Sequence, residues 1–72
     1  MDQEKLNVER ASKAIRDSRF VEGLSFLESN LSKDPNHKDS LYLAAVCSRY
    51  LKNYKYSKKY LDNLLTQAPD MG

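Results

Sequence analysis

The feature that most constrains this chain is an internal period. Pro35 and Pro69 lie 34 residues apart, and so do Ala11 and Ala45, Leu27 and Leu61, and Leu31 and Leu65. Phe20/Tyr54 and Phe26/Tyr60 keep aromatic character at the same interval. A fixed period of this length means one supersecondary unit used twice, each copy burying its apolar face on the other.

Each unit reads as a pair of helices. From the N-terminus to Ser18 the apolar residues are sparse but helically spaced, at Leu6, Ala11, Ala14 and Ile15, with Asp2 placed to cap the start and Glu4 in the first turn. Phe20, Leu24, Leu27 and Leu31 recur at spacings of four, three and four, one face of a second helix ending near Lys33. Asp34-Pro35-Asn36 stops it, because proline disfavours helical geometry at the residue before it and asparagine tolerates turns. A third helix carries Leu41, Ala44, Ala45, Ser48 and Leu51 on one side, with Asp39 or Ser40 as cap, and Lys52-Asn53 breaks it. A fourth runs from Tyr54 to Gln67 with Ser57, Leu61, Leu64 and Leu65 as its inward stripe, ahead of a second stop at Ala68-Pro69-Asp70. The spacing thus predicts helices near residues 3–17, 20–33, 38–51 and 54–67 and no strand. Short connections make neighbouring helices antiparallel.

The pattern resembles the tetratricopeptide repeat. That family places a large residue, then Leu-Gly, then Tyr on the first helix of a unit, a small residue followed four places later by Phe on the second, and Pro at the end. The second copy offers Leu41, Ala44-Ala45, Ser48, Ser57, Leu61 and Pro69; the first, more degenerate, offers Asn7, Arg10-Ala11, Ala14, Gly23, Leu27 and Pro35. The resemblance covers nearly the whole chain and implies an all-α fold of two stacked antiparallel helix hairpins, an α-solenoid fragment of one domain (residues 1–72) with repeat one at about 4–37 and repeat two at about 38–71. In such a stack Ala11, Ala45, Gly23 and Ser57 are small because paired helices approach closely, and Leu27 and Leu61 fill the space between hairpins. A stack of two units is expected to be an excerpt of a longer array, leaving parts of Tyr60, Leu64 and Leu65 exposed and open to self-association through the last helix.

The family resemblance also implies the function: a non-catalytic protein-interaction module whose first helices line a concave groove for a peptide or a neighbouring domain. The third helix bears a second stripe, Tyr42, Val46, Arg49 and Tyr50, distinct from its packing stripe. These four are the candidate groove residues, with Val8, Ser12 and Ile15 opposite as the other wall. Members of the family that clamp the carboxylate tails of chaperones use Lys and Asn at places matched here by Val8, Ser12 and Leu43, so that clamp is not expected.

Other functions find less support. With Cys47 and His37 as the only residues of their kinds there is no zinc set, no Cys-His or Ser-His-Asp arrangement emerges, and Gly23 and Gly72 make no phosphate-binding loop. No catalytic residue, metal or cofactor is expected. His37 reads as a solvated turn residue and Cys47 as a small buried one. Lys52, Lys55, Lys58 and Lys59 interleave with Tyr54, Tyr56 and Tyr60 in the manner of a nucleic-acid surface, but two of these tyrosines match Phe20 and Phe26 and so carry packing roles. The stretch from Leu61 to Met71 loosely resembles bacterial sulfotransferase-like proteins with amino-terminal repeats, which makes the start of a larger enzyme the alternative reading; no sulfotransferase chemistry is present. One cysteine, a net charge of +2 and no apolar run long enough to span a bilayer point to a cytoplasmic protein without a membrane partner.

Overall fold

The computed structural model describes residues 3–67, and within them the chain is all-helical. Helices α1 (Gln3–Arg16), α2 (Phe20–Lys33), α3 (Lys38–Tyr50) and α4 (Tyr54–Gln67) follow one another through turns of three or four residues, with no strand among the described residues. Each helix packs on the next, and α1 also touches α3. The expected helices are matched to within one residue, while the second stop at residues 68–70 and the Asp2 cap lie outside the described residues.

The turns inside the two hairpins are the same turn. After α1, Ser18 sits at φ 63°, and after α3, Lys52 sits at φ 62°. Ser18 N–H donates to Ile15 O and Arg19 N–H to Ala14 O (3.0 and 2.7 Å); Lys52 N–H donates to Arg49 O and Asn53 N–H to Ser48 O (2.9 and 2.7 Å). This is the left-handed helix stop that satisfies the last carbonyls of a helix, built twice without the glycine that usually occupies it. The helix faces pair by the same interval. A Cβ on Gly23 would meet Ala11 O at 3.3 Å, and Ser57 Oγ donates to Ala45 O at 3.0 Å. Within each hairpin the second helix therefore crosses the first against its backbone, which only a very small side chain permits.

The core lies where α1, α2 and α3 meet. Ala11, Leu27, Ala44 and Cys47 form its buried centre, and Ile15, Leu24, Phe26, Leu31, Leu43 and Tyr60 pack around it. Cys47 is buried as expected, and burial pushes its thiol from 9.0 up to about 11. Several inward assignments are corrected. Leu51 is no part of the packing stripe: it follows α3 as its C-cap and is 39% exposed. Leu61, expected between hairpins, is 40% exposed, while Leu65 is 66% exposed as the end of a stack implies: Tyr60 reaches the core, but α3 is the one helix that lies along α4 among the described residues. Leu27 is completely buried because α3 does cover α2. Tyr60 and Leu64 are half-buried.

The start of α3 holds a further correction. Its N-cap is His37, not Asp39 or Ser40: the ring Nδ1 accepts from Ser40 N–H at 3.3 Å and lies 2.7 Å from Ser40 Oγ. Nor is His37 a solvated turn residue, since it is half-buried with Nε2 3.6 Å from Glu4 Oε2. Ser40 Oγ in turn accepts from Asn30 Nδ2 (3.0 Å), which also donates to Glu4 O (2.9 Å), while Asn30 Oδ1 accepts from Asn7 Nδ2 (2.9 Å). Asn7 and Asn30, both buried, occupy the places that Leu41 and Leu64 occupy one period later. The polar chain they form ties α1, α2 and the start of α3 together.

Candidate functional site: an aromatic and basic groove on α3

Tyr42, Val46, Arg49 and Tyr50 fall at spacings that put them on one side of a helix, and the structure brings all four to a single open pocket of about 610 Å³. The opposite side of α3 is occupied by Leu41, Ala44, Ala45 and Ser48, all buried. The groove side faces outward: Tyr42 and Tyr50 are 54% and 61% exposed, Arg49 is exposed, and Val46 forms a half-buried floor.

Lys52 and Tyr54 complete the lining. Neither belongs to the stripe that the spacing predicts, in which Lys52 marks a helix break and Tyr54 matches the packing residue Phe20. Tyr54 is instead 62% exposed. The difference is physical. Phe20 stacks on Tyr50 with ring centroids 4.5 Å apart and planes within 6°, a contact with the hairpin that follows its own. No following hairpin exists for Tyr54 among the described residues. The left-handed turn that reverses the chain beside the end of α3 brings Lys52 and Tyr54 there, and without a glycine it leaves no mark in the sequence.

The expected opposite wall is distributed differently. Val8 lines a separate hollow of about 410 Å³ with Lys5, Glu9, His37 and Asp39. Ile15 packs against the core and Ser12 is half-buried; none of the three lines the α3 pocket.

Charge is uneven across the chain. Residues 1–39 carry seven basic and eight acidic side chains, whereas residues 40–61 carry five basic ones, Arg49, Lys52, Lys55, Lys58 and Lys59, and no acidic one. Among the described residues, the ion pairs Arg19–Glu22 and His37–Glu4 involve none of those five. Among the described residues there is no cluster of three or more His, Cys, Asp or Glu side chains able to hold a metal ion, and no helix is long and apolar enough to cross a membrane. Comparison with family models, with curated proteins and with solved structures finds no match.

Proposed function

We propose that this chain is a non-catalytic protein-interaction module of the tetratricopeptide type, two hairpin units that hold a peptide or a neighbouring domain against the α3 face. One observation carries the reading: Tyr42, Val46, Arg49 and Tyr50 line one open pocket while the other side of the same helix is buried. Tyrosine supplies contact area at low entropic cost and arginine forks onto carboxylates or stacks on rings, so both residue types concentrate binding energy at interfaces. The repeat assignment is supported by the recurrence, at 34 residues, of the hairpin turn at Ser18 and Lys52 and of the close approach at Gly23 and Ser57. A cytoplasmic setting is part of the same reading, supported by the lone thiol of Cys47.

Self-association through α4 is a second reading, favoured by one observation, the exposure of Leu61 and Leu65 on a helix that packs on one side only.

Site-specific photo-crosslinking tests the main reading. A benzophenone side chain at Tyr42 should give protein adducts in cells, and the same group at Ser29, exposed on α2, should not. No adduct at Tyr42, or equal yields at both places, would remove the groove as the contact surface. Adducts formed only between copies of this chain would favour self-association.

A further inference from the structure

We infer that the occupant of the α3 groove is an acidic peptide, a segment of a partner protein that sets Asp or Glu side chains beside an aromatic or aliphatic one; this rests on the groove being the binding surface. The lining contains two cations, Arg49 and Lys52, and no carboxylate. Neither cation has an ion-pair partner among the described residues. Residues 1–39 mix their charges and residues 62–72 carry two acidic and no basic side chains, so the stretch with a cationic excess is residues 40–61. An unneutralised pair of cations over an aromatic and aliphatic floor is complementary to carboxylates flanking an apolar side chain. Arg49 can take a carboxylate in a forked pair, Lys52 a second as a point charge, and Val46 with the Tyr42 ring can take the apolar group between them.

A nucleic acid would need more than this. Strand binding without sequence preference uses a continuous track of cations with free aromatic faces along it. Here the cations divide: Arg49 and Lys52 line the α3 groove, while Lys59 lines a different hollow with Leu31, Pro35, Leu41, Tyr60 and Asn63. Tyr50 already has one face covered by Phe20. What remains suits a few side chains of a peptide better than successive bases.

Selection of a random-peptide phage library on the immobilised full chain tests the inference. The enriched peptides should carry an excess of Asp and Glu over the starting library, next to an aromatic or aliphatic residue. A synthetic copy of the leading peptide should bind about tenfold or more weakly to the Arg49→Glu, Lys52→Glu double variant, and about threefold to tenfold more weakly at physiological than at low salt. Lys33→Glu, the same kind of charge reversal at the far end of α2, should leave its affinity unchanged. Circular dichroism should confirm equal helix content; if the double reversal unfolds the chain, the milder Arg49→Gln, Lys52→Gln pair gives the same reading. Peptides without acidic excess, whose affinity falls with Tyr42→Ala but not with the charge reversal, would keep the groove and overturn the acidic partner. No enrichment at all would overturn both. Tighter binding of single-stranded oligothymidylate than of any selected peptide would overturn the peptide in favour of a nucleic acid.

Discussion

Ser18 and Lys52 share one backbone conformation, left-handed at φ 63° and 62°, each at the stop of a hairpin's first helix and 34 residues apart. Left-handed geometry is strained for a residue with a Cβ, by roughly 1 kcal/mol, and glycine relieves it. Ser18→Gly is therefore expected to raise stability by up to about 0.5 kcal/mol, net of the entropy glycine adds to the unfolded chain, and Ser18→Val to lower it by at least about 1 kcal/mol. Thermal unfolding followed by circular dichroism checks both; a stabilising valine would contradict the turn. Ser18 is the cleaner site for this measurement, because Lys52 also lines the groove.

Leu27 and Leu61 occupy the same place in the period yet differ in environment, one fully buried and the other 40% exposed. Leu27→Ala should cost about 2–5 kcal/mol and Leu61→Ala about 1 kcal/mol or less, since a half-solvated side chain loses little transfer energy and leaves no closed cavity. Denaturant titrations of the two variants measure the gap. Equal losses would mean that α4 is covered in solution by something the monomer does not supply.

That pair marks how far the sequence can be read. Apolar spacing locates helices and names a face, so the four helical segments were legible, as was the shared face of Tyr42, Val46, Arg49 and Tyr50 on α3. Periodicity assigns the same role to both copies of a position, but burial depends on the neighbour present. Leu61 and Tyr54 depart from the roles the period assigns them for that reason. The cap was missed for another: His37 acts through a ring nitrogen brought back onto its own helix, a geometry that spacing does not encode. Asn7 and Asn30 could have been paired in advance, because both replace leucines of the second copy and buried polar groups need partners.

The Asn7–Asn30 bond gives a direct test of that pairing. Either residue changed alone to Leu leaves its partner's amide buried and short of a hydrogen bond, at a cost of about 1–3 kcal/mol. Changing both restores the leucine pattern of the second copy and should cost clearly less than the sum, a coupling of about 1 kcal/mol or more in a double-mutant cycle. Strict additivity would show that the two amides do not depend on one another.

Cys47 predicts an alkaline limit. Its thiol titrates near 11 in the folded chain against 9.0 ordinarily, because burial disfavours the thiolate. Below pH 9 the thiol is protonated in both states and its contribution is constant; as pH rises from 9 to 11 the unfolded chain ionises first, so stability falls across that window. Cys47→Ala should flatten this part of the stability profile. Thiol-specific reagents should modify the native protein far more slowly than the unfolded chain at neutral pH. Rapid native modification, or an unchanged profile in the alanine variant, would place the thiol nearer to solvent than the fold does.

Tyr42 and Tyr50 share the groove but not their support. The Tyr50 ring is stacked on Phe20, so Tyr50→Ala removes an aromatic pair and is expected to lower stability by about 0.5–1.5 kcal/mol beyond its loss of buried area. Tyr42, 54% exposed, forms no aromatic pair among the described residues, and Tyr42→Ala should change stability by no more than about 0.5 kcal/mol. If the groove binds a peptide, Tyr42→Ala should weaken it by about 1–2 kcal/mol with the melting temperature nearly unchanged, whereas Tyr50→Ala should affect both. Tyr42 is thus the position at which binding separates from folding. Full affinity in a folded Tyr42→Ala variant would take this ring out of the binding surface, and full affinity in Tyr50→Ala as well would leave the α3 stripe with a structural role alone.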